Sequence, residues 1–284
     1  MRHPIPKAIA ATAVAFVLLA AVSAGAVPTV RHIASGWWNS PEGLAALLEN
    51  PQVHYEPGAS EYGRTVADLL PTAVARVEAI QQRQFAHPVT IGVYVSREAF
   101  AAANGVGDSG AVGVTFFGHV ILSPVLFSAQ RQRLPAILTH ELSHAHLQSW
   151  LSPLAYIRLP NWFKEGLAVM VSGGGGAERV SEVQAREAIR SGDHIAVESA
   201  GSLLNLAAVK FEQRPEIPNT SFRILMAYRQ AGLFVAFLRD TSPAGFARMI
   251  AAILDGRPFA EAVTTGYETD LHALWSDFVK ATEN

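Results

Sequence analysis

No cysteine occurs among the 284 residues of the chain. Disulfides and thiolate metal sites are therefore excluded, and any tightly held metal ion must rely on histidine and carboxylate. A cysteine-free composition also suits an exported protein. Charge is scarce as well: 16% of residues are charged and the formal net charge is −2. Nothing in that balance points to nucleic acid, which is not expected as a partner. There is no internal repeat, and no stretch after residue 27 is apolar enough to cross a bilayer. Half of the residues are hydrophobic, a globular composition rather than a disordered one. The length suffices for one large domain or two small ones with a sizeable core.

The long hydrophobic run that does exist comes first. Arg2 and Lys7 form a basic start, and residues 8–27 are apolar. Two readings of residues 1–27 compete. Ala24-Gly25-Ala26 fits the small-residue cleavage site of a removed signal peptide. The run also reaches the length of about 20 residues needed to span a bilayer and stay as an N-terminal anchor. In both, the positive start remains inside and the rest is exported, either periplasmic or held on the cytoplasmic membrane through residues 8–27.

Residues 28–54, with Pro28, Gly36, Pro41 and Pro51, read as a linker holding a short helix at 42–48. The folded domain is expected over 55–284, as a sheet and metal-site half (55–172) and a helical half (173–284). Apolar residues at helical spacing predict a helix over 61–84, from Val66 through Leu70 and Val77 to Ile80. The β-branched alternation of 89–95 predicts a strand, and 111–123 a hairpin turning at Phe117-Gly118-His119. A short helix is expected at 97–103. The segment 134–150 has helical period, with Pro135 in its first turn. A second helix should follow Pro160, N-capped by Asn161, and stop at Gly173. Further helices are expected at 180–190, 222–239, 243–254, 258–264 and 268–281. The class is α+β.

The chemistry lies in 134–171. His140-Glu141-Leu142-Ser143-His144 reads H-E-x-x-H on the first of these helices. Residues four apart share a helix face, so both imidazoles reach one metal ion. Glu141 stands beside them, placed to act on a water rather than to ligate. Trp162-Phe163-Lys164-Glu165-Gly166-Leu167-Ala168 brings a carboxylate on the second helix. His140, His144 and Glu165 then make three zinc ligands and leave a fourth position open. Such a site makes water acidic near pH 7, to within about a unit.

The two motifs together resemble the gluzincin metallopeptidases, the thermolysin-like and aminopeptidase-like zincins, and W-x-x-E-G-x-A resembles bacterial peptidase MA-like domains. The likeness spans roughly residues 55–284 and is strongest at 134–171. It implies a zincin-like fold: a small twisted sheet with antiparallel edges, packed on the H-E-x-x-H helix and followed by a mainly helical half. It implies a Zn2+-dependent peptidase acting on a peptide or protein substrate, with Glu141 as general base. It also implies a tyrosine that hydrogen-bonds the oxyanion, for which Tyr228 is the candidate; the alternative is an ordinary core tyrosine. The chain departs from the pattern in two places. Ala168, Val169 and Met170 supply no acid to orient a ligand histidine, so Asn161 or backbone carbonyls must do so. No G-x-M-E-N segment precedes the motif, which puts aminopeptidase specificity in doubt.

The remaining candidates have plainer readings. His146 points to the other side of the helix and reads as a surface or supporting residue. His119 reads as a turn residue, and Asp193 and His194 as the close of a helix. Gly173–Gly176 reads as a flexible loop near the cleft, without phosphate-binding spacing. A strand of the hairpin is either a substrate-pairing edge or an ordinary one. Two other classes fit the same residues: a zinc-binding module that does not turn over, and a zinc hydrolase of a non-peptide amide.

Overall fold

β-branched side chains around residue 91 form the middle of a five-stranded sheet. The computed structural model describes residues 28–201, 209–212 and 221–283, so the predicted targeting segment lies outside the described residues. Strands β1 (Ala45–Leu47), β2 (Asn50–Tyr55), β3 (Ile91–Val93), β4 (Gly113–Phe116) and β5 (His119–Leu122) run in the order β1-β2-β3-β5-β4. The inner pairs β2–β3 and β3–β5 are parallel, and the two edge pairs are antiparallel. Ile91 and Val93 are wholly buried, as expected of a central parallel strand covered on both faces. The hairpin turns through Phe117 and Gly118; His119 is the first residue of β5, paired with Phe116, rather than part of the turn.

The segment expected to be a linker carries structure. Helix α1 (Pro28–Trp38) precedes a 3-10 turn at Pro41–Gly43, and β1 and all of β2 but its last residue, Tyr55, lie within the predicted linker. Residues 42–48 were expected to be helical; the 3-10 turn and β1 occupy them instead. Pairing with β2 overrides their helical propensity, and Pro41 is buried against Gly92 of β3.

Helix α2 (Ser60–Gln81) turns Val66, Leu70, Ala73 and Val77 to the core, and α3 (Arg97–Ala103) is capped by Ser96. Helix α4 (Leu134–Trp150) is buried on nearly every side from Ile137 to Leu147. It packs on α2, β4 and β5, and on the helix that carries Glu165. That all-round burial is the signature of a helix at the centre of a fold. A short helix follows that the sequence pattern did not show, α5 (Pro153–Arg158), with the Ser152 hydroxyl accepting from the Ala155 amide. Helix α6 (Asn161–Ser172) is preceded by Pro160 at the cap position, so Asn161 is its first residue and not its cap; Gly173, left-handed, ends it.

The second half is helical: α7 (Glu182–Arg190), α8 (Ser221–Thr241), α9 (Pro243–Leu254), α10 (Phe259–Tyr267) and α11 (Leu271–Glu283). Helix α8 lies against α6 through Gly166 and Gly232: a Cβ on Gly166 would sit 2.6 Å from the Ala231 carbonyl oxygen. Trp162 of α6 joins Phe234, Phe259 and, through Phe234, Trp275 and Phe278 in one aromatic cluster. The observed class is α+β, a small mixed sheet with a majority of helix. Among the described residues no helix is long and apolar enough to cross a membrane.

Candidate metal centre

Helix α4 presents His140 and His144 on one face, one turn apart, and α6 lays Glu165 against them. His140 Nε2 and His144 Nε2 are 3.2 Å apart. Glu165 Oε2 lies 3.4 Å from the first and 3.6 Å from the second. Both imidazoles are buried, at 5% and 7% exposure. Among the described residues, these three form the one such histidine and carboxylate group that could hold a metal ion.

Each imidazole is oriented by a partner on its other nitrogen. His140 Nδ1 lies 2.9 Å from the Gly175 carbonyl oxygen. A carbonyl only accepts, so Nδ1 carries the proton and Nε2 keeps its lone pair toward the triad. His144 Nδ1 lies 3.3 Å from the Tyr156 hydroxyl on α5. These two groups replace the acid absent after Glu165: one is the backbone carbonyl the sequence pointed to, the other a tyrosine it did not. The glycine run proves to be a packed wall rather than a loose loop. Gly173, Gly174 and Gly176 have positive φ, and a Cβ on Gly175 would sit 2.6 Å from the Ala136 carbonyl oxygen. Only glycine allows the turn to press this closely on α4 and deliver its carbonyl to His140.

The charges are mutually adjusted. Burial alone would lower His140, but the Glu165 carboxylate, Glu141 and the Gly175 carbonyl together raise it above the ordinary histidine value. Burial alone would raise Glu165, but His144 and His140 hold it well below the usual carboxylate range. Lys164, next in the chain, is buried with its Nζ 4.7 Å above the Tyr156 ring. Burial pulls its ammonium down to about 8, against the opposing pull of Glu165.

Glu141 is buried at 6% exposure beside β4, an edge strand of the sheet. The Thr115 hydroxyl of β4 lies 2.8 Å from the Glu141 carbonyl oxygen and 2.9 Å from Oε2. Gly113, two residues earlier and on the same face of β4, leaves room for the carboxylate; a Cβ there would lie 3.0 Å from Oε1. Tyr228 of α8 also reaches the site. Burial foremost, then Glu165 and Glu141, raise its hydroxyl well above the usual tyrosine value, and it hydrogen-bonds Glu165. Burial likewise raises Tyr156, with further pushes from Glu165 and Glu141 and an opposing hydrogen bond from Gln148. Both hydroxyls remain protonated, and the Tyr156 oxygen accepts from His144 Nδ1–H when His144 keeps its Nε2 lone pair toward the triad.

All five sequence candidates, His140, Glu141, His144, Glu165 and Tyr228, therefore meet in one place. His146 does not: it is fully buried, not a surface residue, with Nε2 2.8 Å from the Arg83 carbonyl oxygen and its ring edge-on to Phe85. Asp193 closes α7 through its amide to Ala188, as read, and pairs with Arg223. Thr115, Tyr156 and Gly175 escaped the sequence reading. Strand alternation places Gly113 and Thr115 on one face and was a usable signal; nothing local announces the other two. No protein-family model, curated protein or solved structure matches the chain.

Proposed function

We propose that the chain is an exported zinc-dependent metallopeptidase of the gluzincin type, cleaving peptide or protein substrates. The observation that carries this is the triangle of ligand atoms, 3.2, 3.4 and 3.6 Å on its sides. Tetrahedral zinc with bonds of about 2.0–2.1 Å holds its ligand atoms about 3.4 Å apart. His140, His144 and Glu165 fit that ion without rearrangement. Zinc bound there supplies Lewis acidity, polarising a carbonyl and making water acidic near neutral pH.

The chain's own residues supply the rest. Glu141 takes a proton from water and passes it to the leaving amine. Thr115 holds the Glu141 carboxylate in place. Tyr228 donates a hydrogen bond to the developing oxyanion, a contribution of about 3 kcal/mol in comparable sites. Strand β4, at the sheet edge beside Glu141, pairs with an extended substrate. The targeting segment at residues 1–27 supports a catalytic domain outside the cytoplasm, and the zincin-like fold is the corresponding structural proposal.

A base braced by a dedicated hydroxyl favours a working hydrolase over a zinc-binding module that does not turn over. The test compares parent and Glu141→Gln. The variant should bind zinc like the parent, while proteome-wide cleavage mapping should show the parent's products gone. Equal cleavage by both would refute the mechanism, and cleavage of non-peptide amides alone would shift the substrate class.

A further inference from the structure

Helix α1 is seated on the body of the protein by one face and presents an apolar opposite face to solvent. On the seated side, the Ser35 hydroxyl donates to the Ala102 carbonyl at 2.8 Å. Gly36 is so close to its neighbours that a Cβ would lie 2.7 Å from Phe116 and 2.8 Å from the Gly105 amide. The His32 ring covers Gly107. Residues 30, 33, 34 and 37 lie on the far side at helical spacing. There Val30 is 38%, Ile33 37%, Trp37 66% and neighbouring Trp38 88% exposed.

The patch continues onto the β4–β5 hairpin. Phe117 is 51% exposed and meets Trp37 edge-on at 5.3 Å. Its φ is +47°, followed by Gly118 at +81°. Asn or Asp is the ordinary choice at the first position of such a turn, and a bulky residue there carries strain. An amphipathic helix that turns its apolar side outward, extended by an aromatic on a strained turn, is a surface awaiting a partner.

The geometry points to the surface of a lipid bilayer as that partner, with α1 and Phe117 lying in the headgroup region. Three features select lipid over protein. Residues 28–39 contain no acidic side chain, and Arg31 flanks the apolar stripe, a polarity suited to anionic headgroups. The two tryptophans are the residue type enriched at membrane interfaces. The chain enters α1 directly from the apolar run at residues 8–27. The contact is separate from that run and does not depend on the peptidase reading. It has one consequence for the site: Phe117 directly follows β4, so the Phe116 end of the strand beside Glu141 lies close to the membrane surface.

The chain has no cysteine, so Ala34→Cys creates a single thiol on the exposed face for a nitroxide label. The full chain is reconstituted in vesicles of phosphatidylethanolamine and phosphatidylglycerol, and relaxation by oxygen is compared with relaxation by a water-soluble nickel chelate. Oxygen should dominate at residue 34, and the chelate at a control Val183→Cys label on α7, where the side chain is 73% exposed. Adding Trp37→Ser, Trp38→Ser and Phe117→Ser should return the residue-34 label to water while residues 8–27 are untouched. Chelate access at residue 34 equal to that at residue 183 overturns the inference. So does protection from both reagents, which would mean that a protein covers the face, or lipid contact that survives the triple substitution.

Discussion

Replacing Thr115 by Val tests whether β4 braces the base. Valine keeps the β-branched shape that suits a strand and removes only the hydroxyl 2.9 Å from Glu141 Oε2. A hydroxyl has one proton to donate, and the Glu141 carbonyl oxygen at 2.8 Å competes for it. The carboxylate is the stronger acceptor because it is charged. Hydrogen bonds to charged groups are worth about 1.5–3 kcal/mol. At about 1.4 kcal/mol per tenfold, the loss is roughly 10- to 150-fold in kcat if all of it is felt when Glu141 moves the proton. KM should hardly change, because pairing of an extended peptide with β4 uses the backbone and the strand is intact. Zinc content should also hold, since the Thr115 hydroxyl hydrogen-bonds Glu141 and none of the three proposed ligands. Thr115→Ser restores the hydroxyl and should recover most of the rate. The assay is steady-state kinetics on a peptide drawn from the parent's cleavage map, with bound zinc measured on the same samples. A kcat within about twofold of the parent would mean the carbonyl takes the proton and the base needs no brace. A kcat that falls in step with zinc content would mean that Thr115 supports the metal ligands instead.

The other predictions concern the metal and the packing beneath it. Zinc at 100 times its dissociation constant should stabilise the parent by about 2.7 kcal/mol, raising Tm by roughly 5–10 °C at this size. Glu165→Gln should weaken zinc binding roughly 100-fold, one ligand's share of a typical site energy. A competing chelator dye reads this, and parental affinity would remove Glu165 from the site. Tyr156→Phe keeps the ring under Lys164 but strips the hydroxyl from His144 Nδ1, and should cost about 10- to 100-fold in zinc affinity; no change would show that His144 needs no such partner. Gly166→Ala would ordinarily favour a helix by about 1 kcal/mol. Here the new Cβ lies 2.6 Å from the Ala231 carbonyl oxygen, so calorimetry should show a loss of about 1–3 kcal/mol; a gain would mean that α6 and α8 separate freely.

What the sequence disclosed, and what it hid, follows from the range over which each signal acts. The α4 residues His140, Glu141 and His144 are fixed relative to one another by helix geometry alone, so spacing was enough to place them. Glu165 and Tyr228 needed the family resemblance as well, because nothing local states that α6 and α8 turn those side chains inward. The structure supplies the cause: α6 and α8 close at Gly166 and Gly232, where a side chain on either would meet the opposite helix. The glycine of the E-G pair is thus a packing requirement of the site. Residues 42–48 misled for the converse reason. Their composition is helical, and only the neighbouring strand β2, out of register with that local preference, makes Ala45–Leu47 extended. Terminal bounds also moved: the strand read at 89–95 pairs over Ile91–Val93 alone, since alternation continues past the last ladder bond.

The orienting groups were hidden for a deeper reason. A histidine ligand needs only an acceptor at the right distance from Nδ1, and a backbone carbonyl meets that need without any residue type to announce it. Here the acceptor is Gly175, 35 positions from His140 in the chain. What can be read is the permission: consecutive glycines at Gly173–Gly176 are what a turn requires if it is to press against a buried helix. The second partner, Tyr156, sits on a helix of six residues, too short for periodicity to register. It is set by the Ser152-Pro153 cap immediately after the motif helix. Read as the end of α4, that cap closes the H-E-x-x-H helix; read also as the start of α5, it is what returns a tyrosine to His144. The departure from the acid-bearing pattern after Glu165 therefore leaves neither imidazole without an orienting partner. It transfers the task to a glycine turn and a capped turn, one on each side of the two motifs.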